Sequence, residues 1–248
     1  MKIEINCDAG EGVLWGNEPV EAALWPWVSS FSLACGGHAG EAETLRPLLD
    51  RAAQTGKAVG AHPSFPDRLH FGRCSLPMPA TALQETLEQQ LMFLRGLADA
   101  AGVRLAHVKA HGALYHEAMS RPEAAALLVA AVKTCCADTP LLGLAGSALA
   151  AAAGAAGLGF RVEGFADRAV LASGALAPRT VPGAVLSDPA EIVDRCVTLV
   201  REGWVRSLEG QWIELRPDTL CLHGDGPNAP QLARALHEGL TAAGVEVR

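Results

Sequence analysis

Lysine is scarce in this chain, with four residues against sixteen arginines. Aromatic side chains make up 5% of the 248 residues, and there is one tyrosine. No apolar run reaches the ~18 residues that span a bilayer. The alanine-rich stretch 141–156 comes nearest, but Gly143, Gly146 and Gly154 interrupt it. The first residues include Lys2 and Glu4 and show no leader-like apolar core with a cleavage site, so a cytoplasmic chain is expected. No two cysteines are spaced as CxxC, and seven is an odd number, which fits reduced thiols better than a disulfide framework. The chain lacks a GxxxxGK[ST] phosphate loop, a strand-borne GxGxxG and a GxSxG elbow. A formal net charge of −7 argues against a nucleic-acid track or a polybasic membrane surface. It still permits a small anionic substrate, because a few cations in one pocket can outweigh net charge locally.

What is present is enough to build a large core. Half of the residues are hydrophobic, and a domain of this length buries about 75% of its unfolded surface. Short β-prone runs alternate with helical patterns. The strand candidates are 3–7, 31–35, 58–61, 107–109, 141–144, 160–163 and 219–222, apolar and short, as in a parallel sheet buried on both faces. Helical spacing covers 41–54, 81–101, a segment opened by Ser120-Arg121-Pro122-Glu123, another opened by Asp188-Pro189, and 228–244. Residues 205–215 alternate around Glu209-Gly210 and read as a β-hairpin. With no linker or repeat, residues 1–248 are expected to form one domain. The pattern is that of an α/β fold, an incomplete or distorted (β/α) barrel of about seven strands with the hairpin inserted before the last one; a doubly wound open sheet is the alternative.

Polar residues gather just past the strand ends, where such folds place their chemistry. Asp8 and Glu11 follow the first strand, His38 the second, and His62 and Asp67 the third. Lys109 and His111 end the fourth, Asp167 and Arg168 follow the sixth, and His223 and Asp225 follow the last. Arg73 lies in the loop beyond Asp67. Four of the eight histidines, His38, His62, His111 and His223, each follow a separate strand beside or one residue from a glycine, and are expected to share a pocket. His70, His107, His116 and His237 read as incidental. Two residues apart on one strand, Lys109 and His111 would face the same way. Cys7 and Cys35 fall within strands and read as small core hydrophobes, not nucleophiles.

Seven segments resemble the LamB/YcsF family: 6–12 (NCDAGEG), 34–40 (ACGGHAG), 60–67 (GAHPSFPD), 71–73 (FGR), 108–115 (VKAHGALY), 165–168 (FADR) and 221–226 (CLHGDG). The resemblance runs in order along the whole chain. It implies a barrel related to polysaccharide-deacetylase-like barrels. It also implies ATP-dependent opening of 5-oxo-L-proline to L-glutamate, with release of ADP and phosphate. The implied partners are subunits B and C of a 5-oxoprolinase, with ATP, with or without Mg, held here or by a partner. Asp8, His38, His62, Lys109, His111, Arg168, His223 and Asp225 fall on the family's polar positions.

The catalytic expectation is therefore Asp8, His38, His62, Lys109, His111, His223 and Asp225, with Glu11, Asp67, Arg73 and Arg168 on the substrate. Asp8 or a paired histidine would be the base, and Lys109 and Arg168 would hold anionic oxygens. Lys109→Met would then damage turnover far more than folding. The alternatives are a metal-dependent amidase or deacetylase-like hydrolase using the same Asp/His groups as ligands, and a non-catalytic regulatory or binding role within a complex. Self-association is left open. The sequence departs from the family at Ser32, Gly37, Glu41, Ala110, His116, Ala169 and Val170, flanking positions that bear on exact substrate more than on reaction class.

Overall fold

The computed structural model describes residues 1–15, 18–226 and 228–248. In chain order the elements are β1 (Lys2–Ala9), β2 (Leu14–Trp15), β3 (Glu18–Pro19), α1 (Val20–Leu24), β4 (Ser30–Ala34), α2 (Ala42–Thr55), β5 (Ala58–His62), α3 (Ala80–Ala100), β6 (Leu105–Val108) and α4 (Gly112–Ser120). There follow α5 (Pro122–Cys135), β7 (Leu141–Gly143), α6 (Ala148–Ala156), β8 (Phe160–Phe165), α7 (Pro189–Glu202), β9 (Trp204–Arg206), β10 (Trp212–Glu214), β11 (Thr219–Cys221), α8 (Ala229–Ala242) and β12 (Glu246–Val247). The class is the α/β one expected, a distorted (β/α) barrel whose strands are β1, β4–β8 and β11, with the antiparallel β9–β10 hairpin inserted before the last of them.

Contacts divide the chain into two compact units. One comprises Asp8–Gly12 and Ser30–Arg161. Within it β4, β5, β6 and β7 run parallel in that order. α3 carries Leu83, Leu87, Leu91, Leu94 and Ala98 on one buried face, the i, i+4, i+7 stripe of an amphipathic helix. Gly60 has no room for a side chain, because a Cβ there would run into the ring and carbonyl of His107 on the next strand. β6 and β5 therefore approach closely at the level where β5 turns toward His62.

The other unit comprises Met1–Cys7, Val13–Ser29 and Val162–Arg248. Here β12, β1, β11 and β8 pair in parallel. The buried Asn6 amide donates to Glu163 Oε1 at 3.0 Å and to Thr219 Oγ1 at 2.9 Å, tying three strands together through side chains. α7 starts as its sequence dictates: Asp188 Oδ1 caps Glu191 N at 2.8 Å, Pro189 occupies the first turn, and Gly203 closes the helix in the left-handed conformation.

Two local expectations are corrected. Ser120 does not cap α5. It is the last residue of α4, and its hydroxyl donates back to His116 O at 2.8 Å; α5 begins at Pro122 after Arg121. β6 ends at Val108, so Lys109 lies just beyond the strand, and its backbone N–H donates to Ala61 O at 2.9 Å.

Candidate active site

The unit built on β4–β7 collects Asp8, Glu11, His38, His62, Lys109 and His111. β1 delivers Asp8 at its C-terminal end, and β5 ends on His62 itself. His111 is the residue that precedes α4, in extended conformation. All six side chains are nearly withdrawn from solvent. Lys109 Nζ lies 2.6 Å from Asp8 Oδ1, and His62 Nε2 lies 3.4 Å from the same oxygen. Glu11 Oε1 lies 2.9 Å from His38 Nε2 and 3.5 Å from His111 Nδ1. The His38 and His111 rings stack with centroids 3.7 Å apart.

The hydrogen-bond pattern assigns the protons. His62 Nδ1 faces Lys109 O at 2.7 Å, and His111 Nε2 faces Phe71 O at 2.9 Å. Carbonyls only accept, so both nitrogens carry hydrogen. The remaining nitrogens, His62 Nε2 and His111 Nδ1, face each other at 3.0 Å. Burial, then the charge of His62, then His38, pushes His111 well below the ordinary histidine range, so its ring is neutral. Two carboxylates, Asp8 and Glu11, share this cluster with the Lys109 ammonium and three imidazoles. His38 is pushed down to about 3, mainly by burial and next by His62. As a neutral ring it donates from Nε2 to Glu11, and its Nδ1 is a buried lone pair without a hydrogen-bond partner.

The loop after β5 frames these rings. Phe71 adopts φ +55°, a strained conformation for a non-glycine residue. This aims its carbonyl at His111 and sets its ring edge-on to His38 and His111. Arg73 covers the outer side of that ring, with Cζ 5.1 Å from the centroid. Asp67 shapes the same loop: its carboxylate is taken up by His70 Nδ1 at 3.0 Å and its carbonyl accepts from Gly72 N at 2.7 Å. Gly112 closes the frame, because at φ +55° a Cβ there would strike the Gly72 carbonyl. Gly112→Ala should cost ~1–3 kcal/mol of stability and displace the His111–Phe71 contact. Urea unfolding measures the first, and the imidazole NMR signal of His111 the second; an unchanged midpoint and spectrum would show that the loop yields freely.

His107, read as incidental, is fully buried and hydrogen-bonds Ser32 Oγ through Nε2 at 2.9 Å. The available signal is its place two residues before Lys109 in an otherwise apolar strand. Cys35 is a buried thiol raised by that burial, unsuited to nucleophilic work.

Three expected residues belong to the other unit. His223 Nδ1 sits 3.0 Å from both oxygens of Asp167. Burial alone would raise that carboxyl, but the charge and hydrogen bonds of His223 outweigh it and hold it below its usual range. Asp225 lies two residues on, 3.8 Å from Arg179 Nη1. Arg168 does not pair with Asp167; its Nη2 donates to Ala177 O at 2.6 Å. Sequence reasoning passes over Arg179, which sits in an irregular loop with no periodicity to mark it.

A (β/α) barrel with a buried carboxylate–lysine–histidine network past its strand ends defines the class of protein. The particular family follows from comparison: the LamB/YcsF family model matches residues 3–248, and the chain belongs to that family. It is 41% identical to the lactam utilization protein from Thermus thermophilus, whose crystal structure superposes with a TM-score of 0.92 over 100% of this chain and 99% of that one. The carboxyl transferase domain of Rhizobium etli pyruvate carboxylase is a distant likeness, 14% identical at TM-score 0.45 over 98% of this chain and 34% of that one, and has no bearing on function. No helix among the described residues is long and apolar enough to cross a membrane.

Proposed function

We propose that this chain is the LamB/YcsF-type component of a cytoplasmic 5-oxoprolinase, opening 5-oxo-L-proline to L-glutamate at the expense of ATP together with partner subunits B and C. The observation that carries this reading is the buried network Asp8–Lys109–His62–His111 beside Glu11–His38, in a chain similar over its whole length to a lactam utilization protein.

The chemistry asks for such groups. A five-membered lactam resists plain hydrolysis, and phosphorylation of its oxygen makes the carbonyl carbon attackable. Water then needs a base, and the developing oxyanion needs donors. His38 supplies the base once the anionic phosphorylated lactam is bound, whose negative charge offsets the burial that keeps the empty site's ring neutral: Glu11 holds its Nε2–H and so keeps the Nδ1 lone pair available, the orienting role that a carboxylate plays toward a histidine base. Lys109 is the cation aimed at developing negative charge. His38 can pass the water's proton on to the ring nitrogen as the C–N bond breaks, which leaves a carboxyl phosphate on the opened chain, and a second water then releases phosphate and glutamate. Glu11 thereby moves from substrate contact to orientation of the base.

A metal-assisted amidase is the second reading. Ligand atoms of Asp8, Glu11, His62 and His111 lie within 4.8 Å of one another. Against it, the Lys109 ammonium already holds Asp8 Oδ1, and His111 Nδ1 is already paired with His62 Nε2.

The deciding assay measures glutamate and phosphate release by the purified chain, alone and with its partners, and with and without a chelator. Turnover is expected only with ATP and both partners, and unchanged by chelation of trace transition metals. Robust glutamate release by the chain alone, or its loss with the chelator, would transfer the assignment to the second reading.

A further inference from the structure

The unit built on β1, β8, β11 and β12 holds a buried guanidinium that makes no ion pair among the described residues. Arg168 is 3% exposed. Its Nη2 donates to a carbonyl, its Nε is buried without a hydrogen-bond partner, and it makes no ion pair among the described residues. The neighbouring acid is turned elsewhere: both Asp167 oxygens lie on His223 Nδ1. A guanidinium taken out of water without a paired anion is costly, and here the cost is maintained by backbone. Ala169 N donates to Ala184 O at 2.9 Å and Ala177 N to Ala169 O at 3.0 Å, fixing the loop that carries Arg168. Ala169, Ala177 and Ala184 pack together in the same segment, with Leu171, Val181 and Leu208 against them.

The carbonyl that Arg168 Nη2 reaches, Ala177 O, lies two residues before a second guanidinium, Arg179. Arg179 is about one-third exposed and reaches only to 3.8 Å from Asp225 Oδ2, beyond hydrogen-bond distance. The two cations act on each other: burial lowers Arg168 and Arg179 lowers it further, while Asp167, Cys221 and Asp225 act the other way.

We propose that Arg168 and Arg179 form a phosphate-binding site, with Asp225 resting beside Arg179 where the anion would come. Two guanidiniums, one of them buried without an anion, exceed what one carboxylate balances. A phosphate dianion matches both and offers oxygens to their planar forks. That a phosphate should be bound here at all rests on the ATP-coupled reading above; the site itself stands on Arg168 and Arg179.

Isothermal titration of the intact chain with inorganic phosphate, pyrophosphate and ADP tests this without any turnover. Saturable phosphate binding is expected. Arg179→Ala should weaken it about tenfold or more, and Arg179→Lys should recover part of it, with melting temperatures in phosphate-free buffer unchanged. If ADP shows the same Arg179 dependence and binds more tightly than pyrophosphate, the phosphate belongs to a nucleotide; if only inorganic phosphate responds, it is the free or transferred group. Equal phosphate binding by wild type and Arg179→Ala, no saturable binding by wild type, or loss confined to 5-oxoproline, a carboxylate, would overturn the site. Glutamate release separates the two failures. Arg179-dependent phosphate binding in a chain that never supports turnover sinks the ring-opening reading and leaves the site, whereas full turnover by an Arg179→Ala protein with unaltered phosphate binding does the reverse.

Discussion

Lys109→Met should lose stability as well as turnover. The sequence alone points to a selective catalytic defect, with folding spared. The structure changes that, because Lys109 Nζ sits 2.6 Å from Asp8 Oδ1 with both side chains buried. Methionine keeps the packing and removes the counter-ion, so Asp8 is left in the interior without the ammonium, with the His62 ring 3.4 Å away. Breaking a buried pair from one side costs about 3–5 kcal/mol. Loss of one preorganised cation should lower kcat about 10²–10³-fold. The Asp8→Asn/Lys109→Met double variant distinguishes the two effects: with the stranded charge gone it should regain much of the lost stability, while glutamate release stays low. Urea unfolding of the two single variants and the double variant gives the coupling energy directly. A Lys109→Met protein as stable as wild type would mean that Asp8 is neutral when folded and that no ion pair exists to break.

The strand ends are legible in the sequence because apolar runs stop abruptly there, and His38, His62, Lys109 and His111 stand immediately at or after those stops. Geometry across the chain is not. Asp8 and Lys109 are far apart in sequence, and no periodicity relates a residue ending β1 to one following β6. The roles within the cluster depend on which atom faces which. Glu11 looks like a loop carboxylate until its oxygen is found on His38 Nε2, and His107 looks incidental until its strand is seen to turn it inward against Ser32. Arg168 is marked by its place after β8, but its lack of an acid partner is invisible, since Asp167 beside it is the obvious one and is spent on His223. The hairpin is readable from alternation alone, whereas Ser120 is misplaced because a capping pattern and a helix end can share a residue.

Acidification should unfold this protein well before its carboxylates titrate. His38 and His107 are each pushed down to about 3 from an ordinary value of 6.5, burial being the largest cause for both, and His111 moves in the same direction. The surroundings of His38 oppose protonation through His62, Arg68 and Arg73 and favour it through Asp8. Those of His107 oppose it through Lys109, Arg161 and His62, and again favour it through Asp8. Between about pH 6.5 and 3, the unfolded chain therefore binds protons that the folded one refuses. Stability is unaffected by these groups above pH 6.5 and falls as pH drops below it. Each such histidine costs up to about 1.4 kcal/mol per pH unit once its unfolded counterpart is fully protonated, so the three together cost about 3 kcal/mol between about pH 6.5 and 5.5. That is a large part of the ~5–15 kcal/mol that holds a typical domain folded. Unfolding free energies measured by urea at half-unit steps from about pH 7.5 to 5 should be flat at the top and then decline with a slope near three protons. Replacing His107 with asparagine, which can still bond Ser32, should remove close to one proton from that slope. A profile that stays level down to about pH 5, or a His107→Asn protein with the wild-type slope, would show that these rings accept protons in the folded state and that the neutral stacked pair is not how the site is built.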